Sequence, residues 1–311
     1  MTDHKTVPVS LHAYDIENEE ITKSYSDLME KLVTKLTEQK GGAGNRRMIL
    51  NEESREEDLL SSYSIRDSYI FGVMWRIIPQ KEVPSIPDEL FNHEKISISE
   101  IVDKEGNTLL TCKDHYYFTL SKKFLVTNLP KSRVKALEAY INWFLQAIRG
   151  DKVYSFTPKI EAPKETQLSD IKNIVVADPQ LKKKTKKTEK TDGKSAKVIN
   201  FALEQLKNLV GDIPEWTPLL EKKILSAKLL IKFTKPNKME EEDYNKLLGA
   251  YMKPVGDSEG VTLNLKNGKT IKGTDILVTK VVEIEKLDVG ISEPALMIEM
   301  EKFLKELNKT V

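Results

Sequence analysis

The sequence contains a single cysteine, Cys112, in 311 residues. One cysteine cannot form an internal disulfide or supply a cysteine-based zinc site, and it suits a reducing compartment. Long apolar runs are also lacking. The most apolar stretch, Ile70–Trp75, is far shorter than the roughly 20 residues of a membrane span, and residues 1–14 contain no apolar segment of signal-peptide length. These features predict a cytoplasmic protein without direct membrane insertion.

The chain has almost no net charge, since 49 lysines and arginines face 48 acids and leave +1. That total argues against a simple basic nucleic-acid-binding protein. However, residues 180–197 hold eight lysines and two acids, a net of +6, so the remainder carries −5. This segment can be a solvated tether that the repulsion between its lysines keeps extended. It can also be a flexible arm that contacts phosphates, and one segment can fill both roles. Its candidate DNA contacts are Lys182, Lys183, Lys184, Lys186, Lys187 and Lys190.

Other basic residues are weaker candidates for the same surface. In residues 180–197 the lysines have no arginine or aromatic neighbours, which suits contact with the phosphate backbone rather than base reading. A bound surface could be assembled from several separate positions. These additional candidates are Arg46, Arg47, Lys131, Arg133 and Lys269, the last beside Lys266 and Lys272 on a predicted hairpin.

Catalytic signatures are missing from the sequence. The four histidines show no paired spacing, and Gly193-Lys194-Ser195 lacks the upstream glycine of a phosphate-binding loop. Lys190-Thr191-Asp192-Gly193 matches a nucleotidyl-ligase motif, but it lies in a segment that cannot bury a nucleophilic lysine. We therefore predict a non-enzymatic protein with no catalytic residue, no metal and no cofactor. The acid-x-lysine pair in Asp170–Lys172 leaves a metal-dependent nuclease open as the alternative.

Hydrophobic periodicity predicts the elements of the fold. Leu28, Leu32 and Leu36 recur at helical spacing, and Ser68–Ile78 is an apolar, β-branched and aromatic run typical of a strand covered on both faces. Asn267-Gly268 predicts a hairpin with arms Thr262–Leu265 and Thr270–Val282.

The succession of strands and helices predicts an α+β fold with two domains, each a mostly antiparallel sheet packed with a few helices. We expect an N-terminal domain over 1–150, connecting strands and a lysine-rich linker over 151–196, and a C-terminal domain over 197–311.

The order of elements also carries a resemblance. It rests on an early helix, two strand segments, a hairpin-plus-helix block, and a second half with a helix, a strand, a hairpin and a closing helix. These segments are 25–38, Ser68–Ile78, Ile96–Ile101, His115–Leu145, Phe201–Gly211, Leu229–Phe233 and 261–282. In this order the chain resembles RexA-like phage-exclusion proteins and is similar to KwaB-type proteins of anti-phage defence.

The resemblance implies a homodimer that binds double-stranded DNA without strong sequence preference and acts as an intracellular sensor in phage exclusion or anti-phage defence. It also implies a membrane-protein partner that recruits the chain to the membrane. No DNA-contact residue is carried over, because no family motif matches residue by residue. A third hypothesis is a protein-interaction subunit that binds partners through its acidic stretch, Glu52–Asp58.

Overall fold

The computed structural model describes most of the chain outside the lysine-rich segment. The described residues are 5–18, 26–39, 41–51, 56–77, 88–97, 112–129, 133–162, 166–177, 228–245, 247–248, 261–287 and 290–309. Its contacts divide the chain into one compact unit of residues 1–159 and 278–311 and a second of residues 160–277. The C-terminal residues thus pack with the first unit, while the domain ranges 1–150, 151–196 and 197–311 stay predictions.

The first unit is built on an eight-stranded antiparallel sheet. Its strands are β1 (Thr6–Asn18), β2 (Arg47–Asn51), β3 (Glu56–Ile65), β4 (Ile70–Ile77), β5 (Cys112–Leu120), β6 (Phe124–Thr127), β7 (Tyr154–Pro158) and β12 (Thr279–Glu285). The order is β12-β1-β6-β5-β4-β3-β2, and β7 pairs with a further stretch of β1. This sheet, with its helices, confirms the predicted mixture of antiparallel strands and helices.

Helices cover both faces of this sheet. They are α1 (Leu28–Glu38), α2 (Val134–Phe144) and α3 (Glu293–Lys309). Buried side chains of α1 and α2 share one core with Met74, whereas α3 shares the opposite core with Trp75. Seven of the eight residues of β4 are therefore buried, as the apolar run predicts.

The second unit contains a smaller four-stranded sheet. Its strands are β8 (Ile171–Ala177), β9 (Lys228–Lys232), β10 (Val261–Leu265) and β11 (Thr270–Lys272), in the order β11-β10-β8-β9. All three pairings are antiparallel. One face forms a core around Ile174 and Leu263.

The predicted hairpin around Asn267-Gly268 is confirmed in its first part only. Gly268 adopts a positive φ of 82° at the turn, as a tight hairpin requires. The second arm was predicted to run to Val282, but β11 ends at Lys272, where a short 3₁₀ turn over Gly273–Ile276 follows. The strand after it, β12, pairs with β1 of the larger sheet.

Asp27, just before α1, joins that helix to β7 through its carboxylate. The hydroxyl of Tyr154 donates a hydrogen bond to Oδ1 of Asp27 at 2.7 Å. The Nζ atoms of Lys31 and Lys152 lie 3.1 and 3.4 Å from Oδ2 of Asp27. Burial alone would raise the pKa of Asp27, but the hydrogen bonds from Tyr154 and the two lysines together lower it. The ionised carboxylate is therefore favoured by folding.

We expect Asp27→Asn to weaken the acid dependence of stability. A depressed pKa in the folded state adds stability above the unfolded value, about 4, and that stability is lost as the pH falls through the folded value. Urea unfolding between pH 2 and 6 should show a shallower decline for Asp27→Asn than for the native chain. Glu30→Gln, which removes an exposed surface pair with Lys122, is the control. Parallel curves for Asp27→Asn and the native chain would contradict this role.

Candidate nucleic-acid interface

The face of the small sheet opposite its core carries the most distinctive surface of the second unit. We call it the lysine face and define it by Lys172, Asn173, Lys232, Asn264, Thr270 and Lys272. The three lysines and Thr270 are exposed, and the two asparagines are half-buried. The residues at alternate positions, such as Ile174 and Leu263, point into the core.

The strand register places these residues in rows. Asn173 pairs with Lys232 on β9 and with Asn264 on β10, and Asn264 pairs with Thr270 on β11. One row of polar side chains therefore crosses all four strands, a distance of about 14 Å at the usual strand spacing. In the next row, Lys272 pairs with Thr262.

Lys172 reaches this face through a β-bulge. Asn264 pairs with Asn173, but the next residue, Leu265, pairs with Ile171, so Lys172 is the extra residue of β8. Ile171 is buried while Lys172 is exposed. A bulge re-aims side chains in this way, and here it adds a third lysine to the face.

Negative charge is missing from these strands. Together β8 to β11 contain twenty residues with four lysines and no acid. At the average acid content of the chain, twenty residues would contain about three acids. The strands also contain no Phe, Tyr or Trp. The surface is therefore cationic and suited to an anionic, non-stacking ligand.

Within the described part of the chain, the lysines of this face lack the acidic partners that several lysines of the first unit have. Among the described residues, Lys172, Lys232 and Lys272 form no ion pair. In the first unit, by contrast, Lys135, Lys302 and Lys305 each lie 2.6 Å from a glutamate oxygen. The charge on the lysine face is thus not neutralised by described neighbours.

Lys269 lies at the hairpin tip beside this face. It is exposed, and its backbone N–H donates to the side chain of Asn267 at 2.9 Å. Lys266, at the other side of the turn, is exposed as well, with Glu241 in its electrostatic neighbourhood. The hairpin therefore places two further exposed lysines beside the lysine face, while the role of Lys269 as a DNA contact stays a prediction.

Arg46 does not belong to any such surface, which corrects the prediction made for it. The residue is only 2 % exposed. Its guanidinium donates to the backbone carbonyls of Leu60, Ser61 and Glu94 and lies 5.2 Å from the ring centre of Tyr63. The guanidinium is thus buried and bonded inside the fold through Nε and Nη2, and Arg46 is not available to a phosphate.

The remaining predicted contacts are scattered. Arg47 forms two hydrogen bonds to Glu57, at 2.6 and 3.0 Å, and stacks over Phe91. Arg133 is exposed at the start of α2. Neither residue belongs to the lysine face. Lys131 and the arm residues Lys182, Lys183, Lys184, Lys186, Lys187 and Lys190 lie outside the described residues.

Asp170, on which the nuclease hypothesis rests, and Asp58, from the acidic stretch of the protein-interaction hypothesis, both have hydrogen-bond partners within the fold. Asp170 accepts a hydrogen bond from the backbone N–H of Gln167 at 2.9 Å and so caps a short 3₁₀ turn. Asp58 is fully buried and forms two 2.8 Å hydrogen bonds with Arg76. Within the described ranges, no cluster of three His, Cys, Asp or Glu side chains could hold a metal.

Comparisons with known proteins identify no relative. No family model matches the chain, and neither the curated proteins nor the solved structures include a significant match. In the part of the chain that the structure describes, no helix has the length and apolarity needed to cross a membrane. The candidate interface is therefore argued from its own residues.

Sequence reasoning missed Lys172, Asn173 and Lys232 as site residues. Their spacing shows nothing, because β8 and β9 are more than fifty residues apart and only the sheet register brings them together. A usable signal was nevertheless present. It is the absence of acids from the four segments that form β8 to β11, in a chain that holds 48 acids.

Proposed function

We propose that this chain binds double-stranded DNA without sequence preference, through the lysine face and the lysine-rich arm that follows β8. The observation that carries the proposal is the open, acid-free face of the small sheet with its three lysines. Lysine ammonium groups neutralise phosphates and release counterions, which gives affinity independent of base sequence.

The chemistry of the face favours a duplex over a single strand. Proteins that bind single strands stack bases on aromatic side chains, and base–aromatic stacking supplies much of their affinity. The strands of the lysine face have no aromatic residue. Contact with the regular phosphate backbone of a duplex needs only the cations and hydrogen-bond donors that are present.

The lysine-rich arm follows β8 closely in the sequence. Lys182 follows Ala177, the last residue of β8, by five residues. Five residues of any chain span at most about 18 Å, at about 3.6 Å per residue. Arm and face can therefore engage the same duplex.

In the cell, the proposed role is that of a cytoplasmic sensor in phage exclusion or anti-phage defence. Its support is the resemblance to RexA-like and KwaB-type proteins carried by segments such as Ser68–Ile78 and His115–Leu145. The same resemblance supports a homodimer and a membrane-protein partner. A neighbouring gene encoding a small protein with several membrane spans would strengthen this part of the proposal.

Replacing Lys172, Lys232 and Lys272 together with glutamine should make DNA binding less dependent on salt. Each lost phosphate contact lowers the slope of log affinity against log salt by about 0.9, so the triple variant should lose about 2.7. Fluorescence anisotropy with a labelled 20-base-pair duplex, titrated from 50 to 200 mM salt, measures the slope.

The matched control removes the same charge from the first unit. Lys135, Lys302 and Lys305 are exposed but paired with glutamates, and their replacement by glutamine should leave the slope unchanged. An equal loss of slope in both variants would mean that net charge alone matters, and absence of any shift at low salt would refute DNA binding. If the protein instead cuts a plasmid in the presence of Mg²⁺ or Mn²⁺, and Asp170→Ala abolishes the cutting, the chain is a nuclease.

A further inference from the structure

Three polar side chains on the lysine face form a hydrogen-bonded relay. The hydroxyl of Thr270 donates to Oδ1 of Asn264 at 3.0 Å, and Nδ2 of Asn264 donates to Oδ1 of Asn173 at 2.7 Å. The three residues lie on β11, β10 and β8 at directly paired register positions. The relay therefore runs along one row of the sheet, from its edge towards Lys232.

The relay has a direction. Each asparagine uses its carbonyl oxygen to accept from the previous member, so each amide nitrogen faces the next. Asn173 is the last member, and its amide nitrogen is left to donate outwards. Lys232 is directly opposite Asn173 on β9, where paired Cβ atoms are about 5 Å apart.

We infer that the amide nitrogen of Asn173, with the ammonium groups of Lys232 and Lys172, forms a clip for one backbone phosphate of the bound nucleic acid. This inference rests on the proposed function and assigns it a specific contact. All three groups donate hydrogen bonds. The one side-chain acceptor among the three residues is the carbonyl oxygen of Asn173, and it already accepts a hydrogen bond from Asn264.

The clip also gives a reason for sequence independence. An asparagine reads adenine by using its amide nitrogen and oxygen together. In Asn173 the oxygen is held by Asn264, so only the donor half is presented. A lone donor flanked by lysines recognises a phosphate oxygen, which every nucleotide offers.

The test separates the clip from general electrostatic binding. Asn173→Ala should weaken binding of a 20-base-pair duplex about tenfold, since a hydrogen bond to a charged group is lost. The salt slope should not change, because no charge is removed. Thr270→Val should weaken binding in the same direction by releasing the relay, and it should have no further effect in an Asn173→Ala background.

Thr262→Ala is the matched control. Thr262 is half-exposed on the neighbouring row of β10, outside the relay, and its replacement should leave affinity unchanged. The inference is overturned if Asn173→Ala and Thr270→Val bind like the native chain while the triple lysine variant loses slope, a result that leaves the proposed function intact. A native chain that fails to bind the duplex would instead refute the proposed function itself. Thermal unfolding of each variant verifies that the fold is kept.

Discussion

Replacing Arg46 with alanine is expected to lower the free energy of unfolding by about 3–5 kcal/mol, because three backbone carbonyls lose the hydrogen-bond donor that the guanidinium supplies. The substitution leaves the carbonyls of Leu60 and Glu94 without their donor inside the protein. A buried acceptor without a partner costs about 1–3 kcal/mol. Urea unfolding at neutral pH, followed by circular dichroism, measures the loss.

The size of this effect follows from the place of Arg46 in the fold. Burial lowers the pKa of its guanidinium, while nearby Tyr140, Tyr63 and Glu94 favour the charged form. The side chain joins β3 to the segment around Glu94, whose neighbour Ile96 also donates its N–H to Ser61 at 3.0 Å. Removing the guanidinium thus loosens a whole segment packed against the sheet.

Two further variants make the prediction specific. Arg46→Lys should be nearly as harmful as Arg46→Ala, because one ammonium cannot reproduce the planar fork that reaches separate carbonyls. Arg47→Ala should cost about 1 kcal/mol or less, since its pair with Glu57 is partly exposed. If Arg46→Ala unfolds at the same urea concentration as the native chain, the structural role is wrong. Folded Arg46 variants should keep native duplex affinity.

Much of the fold could be predicted because the information was local. The apolar run of β4 indicates a strand covered on both faces, and the spacing of Leu28, Leu32 and Leu36 indicates one helix face. Asn267-Gly268 sets a tight turn whatever surrounds it. In each case neighbouring residues in the sequence are also the residues that interact.

The parts that could not be predicted depend on distant pairing. Nothing near Thr279–Glu285 indicates that this strand pairs with β1, so the sequence predicts its first part, up to Val282, as the end of the nearest hairpin arm. The lysine face likewise exists only because Asn173 lies opposite Lys232 in the register. Arg46 and Arg47 are adjacent and chemically identical, yet one is buried and the other half-exposed, because Arg46 ends a short 3₁₀ turn whereas Arg47 begins β2.

The arm lysines offer the largest expected change in DNA binding. Replacing Lys182, Lys183, Lys184, Lys186 and Lys187 with glutamine should lower the salt slope by about 4.5 if each contacts a phosphate. A protein that neutralises six to ten phosphates loses about 10³–10⁵-fold in affinity between 50 and 200 mM salt, so this variant should lose far less over the same range. Anisotropy titration with the same duplex measures both quantities.

Replacing the same five lysines with arginine is the control, because it keeps the charge and should keep the slope. An unchanged slope in the glutamine variant would show that the arm is only a linker. Combining this variant with the replacement of Lys172, Lys232 and Lys272 tests how arm and face share the duplex. If they contact different phosphates, the two losses of slope add, because each released counterion contributes independently. If they compete for the same phosphates, each element takes over when the other is removed, so the combined loss of slope exceeds the sum of the two separate losses.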